Sequence, residues 1–160
     1  HWVTSITEDN SGKLFVGTIK GLTIIDRGKI TNYTTKEGLP GERINVVYKD
    51  KSGKIFIGTN KGLVEWKGNN FFVSNSELFK NKNIKAITED DDTNIWVATE
   101  NGISVLQDNG ATDFSVQNGL CNNNVNALIF DTQKKLWIAT DSGLSFFDGK
   151  TFKNYHLELN

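Results

Sequence analysis

Apolar residues come in runs of four or five, each cut short by a polar turn. Leu14-Phe15-Val16-Gly17-Thr18, with Gly21-Leu22 close behind, returns as Ile55-Phe56-Ile57-Gly58-Thr59 with Gly62-Leu63. It returns again as Ile95-Trp96-Val97-Ala98-Thr99 with Gly102-Ile103, and as Leu136-Trp137-Ile138-Ala139-Thr140 with Gly143-Leu144, in steps of 41, 40 and 41 residues. Upstream of each block lies a β-rich run ending in Asp: Val3 to Asp9, Ile44 to Asp50, Ile84 to Asp90 and Val125 to Asp131. Downstream come a second apolar run, a turn around Gly28, Gly68, Gly110 or Gly149, and an outer strand with aromatics such as Phe71-Phe72 and Phe152 to Tyr155. Each unit therefore holds four strand candidates, A to D, and no stretch sustains a 3.6-residue period.

A period near 40 residues with four strands per unit predicts an all-β propeller array of four four-stranded antiparallel blades, about 3–35, 44–75, 84–116 and 125–157. Strands apolar on both sides, such as Leu136-Trp137-Ile138-Ala139, suit a sheet covered on both faces. The Thr-x-x-Gly corners (Thr18/Gly21, Thr59/Gly62, Thr99/Gly102, Thr140/Gly143) predict B–C hairpins with glycine at positive φ and the threonine hydroxyl bonded to the turn. Asp9 and Asp50 precede x-x-Gly and are expected to close the A–B turn on its own backbone. Thr93 and Lys134 replace that glycine later, so those two A–B turns are expected to differ.

Composition narrows the function. With 160 residues, 18 Lys+Arg against 19 Asp+Glu and a formal charge of −1, the chain lacks the basic excess that nucleic acid or an anionic membrane surface demands. One Cys and two His exclude an intrachain disulfide and leave no Cys/His zinc set, and no cofactor motif is present. The absence of Met in a chain that starts at His1 leads to the expectation of a piece of something larger. No apolar run in these residues reaches the length of a membrane span, and neither a span nor a leader peptide is expected within them.

Catalysis needs convergent acid/base or nucleophilic groups. Cys121 lies in the Asn-rich linker Gly119 to Asn124, and neither His1 nor His156 is on a comparable linker, which argues against a Cys–His nucleophile. Asp90, Asp92 and Asn94 alternate like the start of a calcium loop, but the Gly and distant Glu that would complete it are missing, so an acidic solvated hairpin is expected. Gly17 to Gly21 is no phosphate loop, because no helix and no Gly-Lys-Ser/Thr order follow. Trp96 and Trp137, inside strand B, are expected in the core, whereas Trp2 is open to either packing or ligand stacking. No carboxylate pair is marked out for acid/base work, so the expectation is a non-catalytic protein.

These motifs resemble the two-component regulator propeller repeat: Val3/Ile6/Asp9, Gly53 to Thr59, Gly62-Leu63 and the Gly38-Leu39-Pro40 linker, with Gly119-Leu120 before the fourth blade. One linker departs, with Ser76 to Asn83 in place of Gly-Leu-Pro. The resemblance implies an extracytoplasmic sensor segment, periplasmic or cell-surface, of a bacterial hybrid histidine kinase or related regulator. It also implies a small-molecule ligand, often a carbohydrate such as an oligosaccharide in similar proteins. The alternatives are a protein-interaction or structural scaffold and, further off, an extracytoplasmic hydrolase or lyase. In a propeller the B–C hairpins and D–A linkers emerge on one face, where variable loops carry recognition. The ligand-binding candidates there are Lys20, Lys61, Asn101 and Asp141 on the hairpins, with Trp2, Arg43, Lys80, Lys82, Asn123 and Asn124 on or near the linkers. The first and last blades are no more polar than the inner ones, and an uncovered blade exposes an apolar sheet. Completion by a second copy, as a homodimer, or by further blades is therefore expected.

Overall fold

The computed structural model describes residues 2–73 and 76–156, with Ser76 described by its backbone alone. His1 and the expected blade ends at 75 and 157 lie outside them. Among the described residues sixteen strands form four antiparallel sheets, each in simple sequence order. Blade 1 comprises β1 (Val3–Glu8), β2 (Leu14–Thr18), β3 (Gly21–Asp26) and β4 (Lys29–Tyr33), and blade 2 comprises β5 (Ile44–Lys49), β6 (Ile55–Thr59), β7 (Gly62–Lys67) and β8 (Asn70–Phe72). Blade 3 holds β9 (Ile84–Glu89), β10 (Ile95–Thr99), β11 (Gly102–Gln107) and β12 (Gly110–Phe114). Blade 4 holds β13 (Val125–Phe130), β14 (Leu136–Thr140), β15 (Gly143–Phe147) and β16 (Phe152–Tyr155).

The chain divides after Ile84 into two compact units, each with its own core. In the first, Phe15, Leu22, Ile24, Ile44, Val47, Ile55, Ile57 and Val64 are buried together, edged by Tyr33, Trp66 and Phe71. In the second, Trp96, Ala98, Ile103, Val105, Val125, Leu136 and Ile138 are buried, with Phe114, Phe130, Phe147 and Phe152 packed against them. Both cores mix residues from two successive blades, which is why a single blade could not hide its own apolar faces.

The B–C hairpins follow the expected chemistry. Thr18, Thr59, Thr99 and Thr140 donate from Oγ1 to the carbonyls of Gly21, Gly62, Gly102 and Gly143 at 2.9–3.1 Å. The same hydroxyls accept from the amides of Lys20, Lys61, Asn101 and Ser142.

The A–B turns overturn an expectation, because all four have the same backbone pattern. Asp9, Asp50, Asp90 and Asp131 each donate their N–H to the carbonyl four residues on. Thr93 and Lys134 adopt φ 64° where Gly12 and Gly53 sit at 86° and 91°. What differs is the bracing. In blades 1 and 2 a serine hydroxyl, Ser11 or Ser52, donates to the Asp carboxylate at 2.8 Å. In blades 3 and 4 the indole N–H of Trp96 or Trp137 donates to Asp90 or Asp131 Oδ2 at 2.9 Å. A β-branched residue at positive φ is strained by about 1–2 kcal/mol. Thr93→Gly should therefore stabilise the chain by about 1 kcal/mol net of glycine's chain entropy, seen as a higher urea midpoint, and no change would mean the turn carries no strain.

The linkers set up the loop face. Before β5, Thr34 and Glu37 form a capping box around the 3-10 turn Thr35–Glu37, ended by Gly38 at φ 104°. Before β13, Ser115 and Asn118 repeat it, ended by Gly119 at φ 106°. The divergent linker carries instead a one-turn helix, α1 (Ser76–Phe79). Five residues before each following strand the side chain is nonetheless equivalent: Leu39, Phe79 and Leu120 are all buried. The anchor is kept and only its delivery has changed.

Candidate functional site

In the first unit, Trp2 is 79% exposed and its carbonyl accepts from Ile19 N–H. Lys20 lines a shallow cavity with Asn32 and Tyr33. Arg43 donates from Nε to Asn45 Oδ1 at 3.1 Å, and its carbonyl accepts from Asn60. Lys61 and Lys80 line one cavity of about 300 Å³ with Pro40, Leu63, Val73 and Phe79. Lys80 is held to Glu77 at 3.6 Å on the open surface, an arrangement of little energetic weight. Lys82 donates its N–H to Phe79 and so closes the helical turn.

In the second unit Asn101 sits exposed at its hairpin tip, and Asn123 Oδ1 accepts from Val116 N–H at 2.9 Å. Asn124 and Asp141 are brought together with two residues that sequence reasoning missed, Lys85 and Asn126. Lys85 Nζ donates to Asn124 Oδ1 at 2.5 Å and to Asn126 Oδ1 at 2.8 Å. Asn126 Nδ2 donates to Asp141 Oδ1 at 2.7 Å, and Asn124 Nδ2 donates to Asp141 Oδ2. One ammonium, two carboxamides and one carboxylate thus form a closed polar ring.

A recurring local feature places these side chains. Strand pairing skips one residue at the start of β1, β5 and β13, leaving Thr4, Asn45 and Asn126 in a bulge, and Lys85 holds the same position in β9. A bulge turns its side chain out of the regular alternation: Thr4, Asn45 and Lys85 reach the start of the next blade or the linker before it, and Asn126 reaches the Asp141 hairpin of its own blade. Thr4 Oγ1 donates to Ile44 O at 2.6 Å, and Asn45 Nδ2 donates to Ile84 O at 2.8 Å. The signal was present in sequence as a polar residue directly after the first apolar one of strand A: Thr4, Asn45, Lys85, Asn126.

Hydrogen bonds from Asn126 and then Asn124, with the Lys85 ammonium, hold the Asp141 carboxyl below its ordinary value of 3.8 against a small desolvation cost. A depressed carboxylate contributes stability that is complete above that ordinary value and is lost as pH falls through the lower folded-state value. Titration of the Asp141 carboxyl carbon by NMR should therefore give a midpoint below 3.8, moved upward in Lys85→Ala. A midpoint unaffected by that substitution would remove Lys85 from the ring.

Beside the ring the structure brings together two residues 35 apart that were expected to be separate. Cys121 Sγ lies 4.0 Å from His156 Nδ1, and each lies 3.3 Å from the Ser142 carbonyl oxygen. A carbonyl only accepts, so Nδ1 must carry its proton to bond there and cannot be a base toward the thiol through that nitrogen. Cys121 N–H donates to the buried Ser145 hydroxyl at 2.9 Å, and Asn154 Nδ2 donates to Gly119 O at 3.0 Å, so the linker bearing the ring is pinned to β15 and β16.

At the other end of these strands Asp90 accepts from Asn94 and Trp96, and Asp91 pairs with Lys134 at 2.5 Å. Among the described residues no group of three or more His, Cys, Asp or Glu side chains is placed to hold a metal ion. Trp96 is buried and Trp137 half-buried, each bonded through its indole to a turn Asp.

The two-component regulator propeller family matches residues 38–61, 78–101 and 119–142, each match running from a linker through strands A and B to the B–C hairpin. The chain carries two-component regulator propeller repeats. The repeats superpose on solved structures over nearly their whole length. The extracellular domain of the putative one component system BT4673 from B. thetaiotaomicron matches with TM-score 0.85 and 20% identity over 96% of this chain and 25% of that one. The corresponding domain of the putative hybrid two component system BT3049, from the same organism, gives 0.83 and 22% over 96% and 22%. Virginiamycin B lyase from Staphylococcus aureus gives 0.71 and 14% over 97% and 55%. Comparison with curated proteins gives no match. The repeats thus form an all-β propeller array that spans about a quarter of the length of the two extracellular domains. No helix among the described residues is long and apolar enough to cross a membrane.

Proposed function

We propose that this chain is the ligand-sensing, non-catalytic propeller segment of an extracytoplasmic bacterial signalling receptor, and that its ligand meets the loop face bearing Lys85, Asn124, Asn126 and Asp141. The observation that carries the reading is this polar ring, built on a linker and bulge of repeats found in two-component regulators. Its charges, one ammonium and one carboxylate, cancel, and its carboxamides both donate and accept. Hydroxyls do the same, so a neutral oligosaccharide matches it better than an anion or a cation. The one nucleophile–imidazole pair nearby shares an acceptor and is not arranged as nucleophile and base, which favours binding over turnover.

A thermal-shift screen with neutral oligosaccharides tests this. A ligand at 100 times its Kd stabilises the native state by about 2.7 kcal/mol, roughly 5–10 °C for a chain of this size. The shift should vanish in Asp141→Ala, whose exposed carboxylate supports no core. A sugar that raises Tm equally in Asp141→Ala would place binding elsewhere, and no shift across the panel would favour a protein-interaction scaffold.

A further inference from the structure

Blade 2 breaks a pattern that the other three blades share, at the end of its outer strand beside the divergent linker. In blades 1, 3 and 4 a hydroxyl on strand C donates to a carboxamide or carboxylate on strand D. The pairs are Thr23 with Asn32, Ser104 with Asp113 and Ser145 with Asn154, at 2.5–2.7 Å. Blade 2 carries Val64 and Val73 at the equivalent places, and β8 ends at Phe72, so Val73 lies outside the strand. Breaks in an otherwise consistent repeat are expected where the chain does something besides fold.

At this break lies the cavity of about 300 Å³ between the B–C hairpin of blade 2 and its two flanking linkers. Its apolar wall is Pro40, Leu63, Val73 and Phe79, whereas the corresponding cleft in blade 1 includes the polar Thr23 and Asn32. The walls are tied together. Asn81 N–H donates to Lys61 O at 3.1 Å, and a Cβ built on Gly62 would lie 3.2 Å from Pro40 Cβ and 3.4 Å from Phe79 O. A preformed hollow with an apolar wall and few polar groups is the usual form of a small-molecule pocket. Lys61, Lys80 and Glu77 set its charge. The Lys61 ammonium makes no ion pair among the described residues, and Lys80 meets Glu77 only across open surface. The rim is therefore net positive, and its one ion pair is weak enough for a ligand to replace.

We propose that this cavity binds a small organic monocarboxylate, its apolar or aromatic body against Leu63, Val73 and Phe79 and its carboxylate between the Lys61 and Lys80 ammonium groups. The site belongs to the first unit and the polar ring to the second. Its ligand is charged and apolar, where the ring suits one that is neutral and rich in hydroxyls.

Amide chemical-shift titration of the chain with benzoate tests this, with benzyl alcohol supplying the body alone and acetate the charge alone. Benzoate should give saturable shifts at Lys61 to Leu63 and Phe79 to Asn81, and the other two should bind about tenfold more weakly. Lys61→Gln should weaken benzoate about tenfold, the value of one charge-assisted hydrogen bond, and leave benzyl alcohol unchanged. Val73→Asp, at a residue 45% exposed, should abolish benzoate binding by placing a like charge in the cavity, with the remaining amide spectrum unaltered. Equal binding of acetate and benzoate, tighter binding of benzylammonium, or no shift at these amides would overturn the proposal, whatever the polar ring binds.

Discussion

Replacing Trp96 with alanine should destabilise the second unit by about 3–5 kcal/mol, the cost of emptying a buried aromatic site. Trp96 stacks on Phe114 with ring centroids 5.9 Å apart and an interplanar angle of 4°, and meets Phe130 and Phe147 each at 5.8 Å. Its indole N–H also braces the Asp90 turn, so Ala removes packing and a turn bond together. Trp137 holds the same repeat position and makes the same bond to Asp131, yet it is half-exposed, so Trp137→Ala should cost about half as much. Urea unfolding followed by far-ultraviolet circular dichroism separates the two. Equal losses would mean that the turn bond, not burial, sets the energy.

Gly102→Ala should cost about 2–3 kcal/mol, in the range of a strained backbone forced to move. Gly102 has φ 117°, and a Cβ there would lie 2.2 Å from the Phe114 carbonyl oxygen, a backbone atom that cannot swing aside. Gly110 at φ 145° supplies the control, since its Cβ would meet nothing within 4 Å. Gly110→Ala should therefore lose only about 1 kcal/mol, for the conformation alone. Chemical denaturation of the pair isolates the steric part, and two equal losses would show that the Phe114 carbonyl yields freely.

How much of this was readable in the sequence depended on whether the repeat itself carried the signal. Threonine and glycine at fixed spacing dictate a hairpin chemistry that is local, so Thr18 with Gly21 could be read directly. The turns at Asp90 and Asp131 were misjudged because the substitute brace, an indole six residues downstream, belongs to another strand. Phe79 escaped for a similar reason: its burial matches Leu39 and Leu120, but the helix that delivers it has no glycine signature. In the polar ring, Asn124 and Asp141 were reachable from topology alone, as loop residues of one face. Asn126 was not, because a strand residue normally alternates between faces and only the bulge redirects it, and Lys85, at the equivalent place in its repeat, was missed with it. The nearness of Cys121 and His156 rests on β16 running back beside β15 to bring its end to the linker, which residue spacing does not report.

Ligand recognition is proposed to lie on the linker, hairpin and bulge that build the polar ring. Amide chemical-shift mapping of this chain titrated with the oligosaccharide giving the largest thermal shift tests it most directly. Saturable shifts confined to Lys85, Asn122 to Asn126 and Asp141 to Ser142, lost together in Asp141→Ala, are expected. Shifts concentrated instead on the A–B turns around Asp90 and Asp131, or on the outer strand Phe152–Tyr155, would contradict it.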